Sequence, residues 1–248
     1  MQFHLPKPLH GWREFAGEVG IIVIGVLIAL GAEQLIERWQ DRERVDRAVE
    51  ALRVEVGYHE FYAAEIEMAT PCIYAQIDAV TARLKAGDGA PLPRFTDRWM
   101  AAGFVIRVPD RPYSDATWQS VNSSDTLRRL DPSRADDLST YFGQLSLQRN
   151  NNRAALDRVA SLNTLSNLMP RGEEGRLRFL EHAEQLRSDI DEMDLISGQL
   201  RDSLAHAGML SPRRAIEKEL TDSGTLKFCR AHRYPIAALR PADPKAAF

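Results

Sequence analysis

The stretch from Phe15 to Ile36, FAGEVGIIVIGVLIALGAEQLI, constrains this chain more than any other, because its centre from Val19 to Ala32 carries no charge. As an α-helix those 14 residues cover about 21 Å, short of a hydrocarbon core of about 30 Å. Extended to Phe15 and Ile36, the helix has 22 residues and covers about 33 Å, which is enough to span. The extension brings Glu18, Glu33 and Gln34 towards its two ends. A carboxylate at mid-membrane costs several kcal/mol, so the glutamates must reach an interface, take up a proton, thin the bilayer or find a partner helix. A partner helix is the favoured solution.

At 100° per residue, Glu18, Gly25, Ala29 and Ala32 fall on one stripe, and Gly25 with Ala29 forms a small-xxx-small pair. Such a stripe lets two helix backbones approach closely in lipid, with Glu18 placed to hydrogen-bond across. The bland alternative is that glycine and alanine are simply common in spans. A cleaved signal peptide is a rival for the whole stretch, since Ala29-Leu30-Gly31 resembles a cleavage site. Against it, Glu18 abuts the apolar core where a signal carries positive charge, and the helical pattern continues through Ile36. A buried helix of a soluble protein is the other rival, but a run this apolar on every side suits lipid better.

The more than 200 residues that follow are enough for one substantial core or two small ones. A net charge of -3, with both signs mixed along most segments, gives no field to attract nucleic acid or to hold the body against anionic lipid. The only two cysteines, Cys72 and Cys229, stand outside any metal-ligand spacing. They either form one disulfide in an oxidising compartment or are two buried thiols, and the sequence leaves both open.

Residues 1–14 read as a short tail in which Pro6 and Pro8 resist helix and Trp12 suits a membrane interface. His4 and His10 there lack further ligands. Residues 37–86 read as a membrane-proximal long helix or helix pair. Arg38, Arg42, Arg44 and Arg47 alternate with Glu37, Asp41, Glu43 and Asp46, the pattern of a solvated face. Val45, Val49, Leu52, Val56, His59, Ala63, Ile66, Thr70, Ile73, Ile77, Val80 and Leu84 recur by four and three, a coiled-coil-like seam. Pro71 predicts a kink, or two successive helices parted near Thr70. His59, on the seam, reads as a core histidine with a hydrogen-bond partner rather than a proton sensor.

Residues 87–220 read as an antiparallel helical bundle. AGDGAPLPRF, Ala86 to Phe95, is the clearest loop, and Arg107 to Ser114 is a second irregular region. Between them, Thr96 to Ile106 has Trp99, Met100 and Phe104 for a short helix, with Phe104-Val105-Ile106 as an alternative strand. Ser114 or Asp115 can cap a helix carrying Trp118 and Val121. Asp131 and Pro132 give an N-cap and first residue for the next. Ser120, Ser123 and Ser124 beside Asp115 and Asp125 lack a G-x-S-x-G elbow, and turn chemistry accounts for them. A long helix is predicted from Pro132 to Leu168, interrupted by polar Arg149, Asn150, Asn151 and Asn152, which specify register, line a wet groove or, most simply, form a solvated face. Another runs from about Glu173 to Ala207, paired with it as a hairpin. Ser211 and Pro212 open a short helix to Leu220, and residues 221–248 read as an extended C-terminal tail that folds back on the bundle. Cys229 and His232 have zinc-like spacing, but two ligands make no site.

WREFAGEVGIIVIGVLIALGAEQ, Trp12 to Gln34, resembles the opening of a group of uncharacterised single-pass membrane proteins of Gram-negative bacteria that carry a domain of unknown function. A weaker echo lies at Trp118 to Tyr141, with its aromatic residue, Ser-rich corner and leucine-rich helix. The resemblance implies an N-terminal span, a helical body and a periplasmic location for that body. It implies no activity.

The chain is therefore expected to be all-α: a transmembrane helix continuing into a long helix, then an antiparallel bundle. Its expected role is association, as a scaffold or accessory subunit of a membrane assembly, through self-association or another membrane protein. No catalytic, cofactor or metal set emerges. A ligand sensor is the alternative, and an anchored enzyme a third, for which Glu60, Asp125, His59 and His182 are available without a reason to meet. Lys7 and Arg13 before the span and Arg38, Arg42, Arg44 and Arg47 after it favour a cytoplasmic body by the positive-inside rule. Long domains translocate regardless, and the resemblance tips the expectation to the periplasmic side of a bacterial inner membrane.

Overall fold

The computed structural model describes residues 12–87, 89–96 and 103–245. The expectations for His4 and His10 and for Trp99 and Met100 fall outside them. Among the described residues there are six α-helices: α1 (Trp12–Ala86), α2 (Ala116–Asn122), α3 (Pro132–Asn163), α4 (Glu173–His206), α5 (Arg213–Asp222) and α6 (Gly224–Ala231). The all-α class is as expected. The chain divides into two units, Met1–Val49 and Glu50–Phe248. In the first, the described residues all belong to α1, and the apolar stretch within it is long enough to cross a membrane with no part of it buried in the protein.

The second unit is built on the remainder of α1. Every seam position from Leu52 to Leu84 is buried, His59 and Thr70 included. From Ala63 to Glu67 five consecutive residues are buried, so this part of α1 is enclosed on all sides rather than along one stripe. The structure corrects the break expected at Pro71, because α1 runs through it. Proline removes one helix donor and disturbs the turn before it. That turn is held in two ways: within it Thr70 donates its hydroxyl to Ile66 O at 2.9 Å, and from outside Ala237 N–H, far along the chain, donates to Met68 O at 3.0 Å. A disulfide at Cys72, joined to Cys229, fixes the following turn.

The expected hairpin of α3 and α4 is present. Asp137 meets His206, Gln148 meets Ser197 and Arg158 meets Asp189, so the partner number falls as α3 advances and the two helices are antiparallel. The same ordering holds between α1 and α4, where Glu67 meets Arg201, Thr70 meets Asp194, Tyr74 meets Asp191 and Asp78 meets Arg187. Three helices thus form the frame, with α1 and α3 running the same way and α4 against both.

Two extended straps complete the body. The described part of residues 89–115 follows α1 and α3; Leu92 N–H donates to Leu165 O at 3.0 Å, and several other backbone polar groups of the strap are met by side chains. Val105 N–H donates to Asn163 Oδ1 at 2.7 Å, Arg107 N–H to Gln76 Oε1 at 2.7 Å, and Asn152 Nδ2 to Pro109 O at 2.9 Å. The helix expected to include Phe104 is not seen at 103–106; Phe104 instead forms a lone antiparallel bridge with Phe95. Gln148 and Asn152 are buried, and Arg149 donates to Tyr113 O, which corrects the reading of Arg149 to Asn152 as a solvated face. The expected C-terminal tail, 221–248, instead begins with the last two residues of α5 and then α6, and only residues after α6 form the second strap. That strap lies along α1 and α4, through Ala237 N–H to Met68 O and Asp243 N–H to Asp202 Oδ1 at 2.8 Å.

Candidate functional site

Four glutamates of α1, Glu55, Glu60, Glu65 and Glu67, are buried in the body. Each holds a different segment. Glu55 accepts the backbone N–H groups of Thr117 and Trp118 at 3.0 and 3.1 Å, so it caps α2; of the two expected caps, Asp115 makes no side-chain cap bond and Ser114 Oγ accepts Ala116 N–H at 3.4 Å. A carboxylate there satisfies two orphan donors and complements the helix dipole. Glu60 accepts Ser211 N–H at 2.7 Å just before α5. Gly57 makes room for this approach, since a Cβ there would lie 3.3 Å from Ser211 Oγ.

Glu65, fully buried, takes both Nε and Nη2 of Arg111, at 2.6 and 2.8 Å, and the hydroxyl of Ser223. Arg111 lies over the rings of Phe61 and Tyr62. Ser223 in turn caps α6 by accepting Leu226 N–H at 3.0 Å. Glu67 accepts Arg201 Nη1 at 2.7 Å, while Arg240 approaches at 3.4 Å and its carbonyl also accepts from Arg201 at 2.8 Å. Burial raises the Glu60 and Glu67 carboxyls above their usual range, against the pull of the Ser211 backbone bond at Glu60 and of the Arg201 charge at Glu67. Removing one member of such a pair strands the other charge in a low-dielectric interior.

His59 stands beside this row. Its Nε2 lies 2.7 Å from Ser114 O, and a carbonyl only accepts, so Nε2 carries the proton and Nδ1 accepts the Tyr141 hydroxyl at 3.2 Å. Tyr62, Tyr113, Tyr141 and Phe142 surround the ring. Burial lowers its pKa to about 4, opposed by the Ser114 bond and the Asp115 charge. Tyr113 is fully buried with φ at 20°, outside the comfortable range of a side-chain-bearing residue. This strained residue sits where the first strap turns towards α2, with Gln148 donating to its hydroxyl at 3.3 Å.

The residues considered for catalysis are not brought together. His59 faces Tyr141 and Ser114, and Glu60 faces Ser211. Asp125 pairs in an exposed turn with Arg128 and Arg129, and His182 on α4 packs near Phe179. Ser123 and Ser124 donate to the Ser120 and Val121 carbonyls, which is turn chemistry. Cys229 is spent in the disulfide, so it does not pair with His232 as a ligand, and His232 packs against the rings of Phe95 and Phe228. Among the described residues no group of three or more His, Cys, Asp or Glu is placed to hold a metal. Glu18, Gly25, Ala29 and Ala32 are all exposed on α1, and a Cβ at Gly25 would touch nothing.

No protein-family model, no curated protein and no solved structure matches the chain.

Two cavities border the glutamate row. One, of about 470 Å³, lies where the first strap passes the start of α6, with Arg107, Asp110, Arg111 and Lys227 around an apolar floor of Ile106 and Val159. The other, of about 200 Å³, is lined by Glu60, Arg201 and residues of α5 and the second strap. Glu60 is the one glutamate of the row that faces either space.

Proposed function

We propose that this chain is a single-pass protein of a bacterial inner membrane whose helical body works by association, as a scaffold or accessory subunit of a membrane assembly. The observation that carries this reading is the apolar stretch of α1, of which no part is buried within the protein. A soluble protein rarely leaves so large an apolar surface uncovered, and lipid or another helix is the natural cover. The resemblance of Trp12 to Gln34 to single-pass proteins supports the same reading. The stripe of Glu18, Gly25, Ala29 and Ala32 is the proposed contact with a second copy or another membrane protein, since it admits close approach and one interhelical hydrogen bond. The buried row of Glu55, Glu60, Glu65 and Glu67 has a structural role in it: it locks straps and short helices to α1.

The disulfide between Cys72 and Cys229 supports a periplasmic body, because such bonds persist in oxidising compartments. Because Cys72 and Cys229 are buried, labelling a Leu168→Cys variant, at an exposed position, with a membrane-impermeant maleimide in intact spheroplasts tests this location. Reaction in intact spheroplasts fits it, and reaction only after lysis puts the body in the cytoplasm. Association is tested by in-membrane cross-linking of the full chain against Gly25→Ile and Ala29→Ile. The reading expects cross-linked species that both substitutions diminish, and it fails if the wild type gives none or the substitutions change nothing.

A further inference from the structure

The smaller cavity is rich in arginine. Arg201, Arg213 and Arg240 line it together with Glu60, over apolar Ile216 and Leu239. Arg201 is only 5% exposed, and its buried Nε makes no hydrogen bond, although its Nη1 is used twice, on Glu67 and on the Arg240 carbonyl. Arg213 has one exposed partner, Glu217, one helical turn on, and such surface pairs are easily given up. Arg240 is held close over Gly198, where any side chain would collide with its guanidinium. The N-terminus of α5 opens at the same place, and no side chain caps it, so its first N–H groups add to the positive character of the site. The lining thus presents three arginines and one acid, with Glu67 behind Arg201 and Arg240 and Glu217 beside Arg213, and the lining acid is buried and fixed by the Ser211 backbone.

We propose that this cavity binds a small α-amino acid. Its carboxylate would meet Arg213, Arg240 and the start of α5, which offer bidentate and helix-terminal donors suited to a planar anion. Its ammonium would meet the Glu60 carboxylate, which Ser211 N–H holds in place through Oε2. The side chain would rest on Ile216 and Leu239. Glu60 is what selects this class: a phosphate or plain carboxylate sees repulsion from it, while a zwitterion gains a second ion pair. At roughly 30 Å³ for each water displaced, about 200 Å³ holds a molecule the size of alanine to leucine. The site lies wholly within the second unit and does not depend on how the apolar stretch of α1 is covered. It favours the ligand-binding alternative over a purely structural body.

The test is isothermal titration of the full chain in detergent, disulfide intact, with glycine, L-alanine, L-leucine and L-glutamate. Propionate, the deaminated form of alanine, and inorganic phosphate serve as controls. Saturable binding of at least one amino acid in the range of about 1 μM to 1 mM is expected, at least tenfold tighter than either control. Arg213→Ala, at an exposed position, should weaken it about tenfold, and Leu239→Trp, which fills the space, should abolish it. No saturable heat from any of the four up to about 10 mM, equal affinity for propionate or phosphate, or binding unchanged in Arg213→Ala would each overturn the proposal. Because Arg213 lies on the surface, its variant decides the question even if Leu239→Trp fails to fold.

Discussion

His59 shows how a single side chain couples the body to pH. Its folded pKa of about 4 lies below the roughly 6.5 of a free histidine, so between those values the unfolded chain binds a proton that the folded one refuses. Its contribution is fully present above about pH 6.5, falls away as pH drops towards about 4, and is constant below. The burial-raised Glu60 and Glu67 act in the opposite sense, gaining stability as pH falls, but they are common to wild type and variant. The difference in denaturant stability between wild type and His59→Gln should therefore shrink by about 2–3 kcal/mol from pH 7 to pH 4. A difference independent of pH would show that His59 titrates as it does in the unfolded chain. The Glu67–Arg201 pair allows a second residue-level prediction. Either Glu67→Gln or Arg201→Met alone should cost about 3–5 kcal/mol, and the double variant less than the sum, since no charge is then left stranded. Additive losses would mean the two act separately. None of this was legible in the sequence beyond His59 as a hydrogen-bonded core residue: a glutamate on a helix ordinarily faces water, and Glu55, Glu65 and Glu67 are buried because their partners come from segments 46 to 173 residues away.

At the scale of elements, periodicity carried most of the information. The four-and-three spacing from Leu52 to Leu84 marks the buried side of α1 correctly, the start of α3 follows from Asp131-Pro132, and α4 covers nearly the span expected from about Glu173 to Ala207. Where the sequence misled, the deciding interaction was distant. Pro71 is a local signal for a break, but Ala237 and the bond from Cys72 to Cys229 support the helix on both sides of it. Likewise, glycine and proline identify Ala86 to Phe95 and Arg107 to Ser114 as irregular without disclosing that side chains of α1 and α3 carry the strap's hydrogen bonds. The disulfide closes a separation of 157 residues, and a cross-link of that span removes much freedom from the unfolded chain. Reduction, or the pair Cys72→Ser and Cys229→Ser, should lower unfolding stability by about 2–5 kcal/mol. An unchanged denaturant midpoint under reductant would mean that the bond contributes nothing to holding α6 and the second strap on α1.

For the whole molecule, the sequence alone supplied the apolar stretch and the helical class, while the way the second unit is bolted together emerges only from the folded chain. An uncovered apolar helix segment on a folded body gives the account its central claim, that Phe15 to Ile36 anchors the protein in a bilayer. The decisive measurement is alkaline carbonate extraction of membranes from cells expressing the full chain, beside a variant with Ile22, Ile24 and Leu27 each changed to Lys. Three lysines near the centre of a span cost on the order of 7–10 kcal/mol. The account predicts that the wild type stays in the membrane pellet and the variant leaves it. A wild-type chain released by carbonate, or a variant retained as firmly as the wild type, would contradict it.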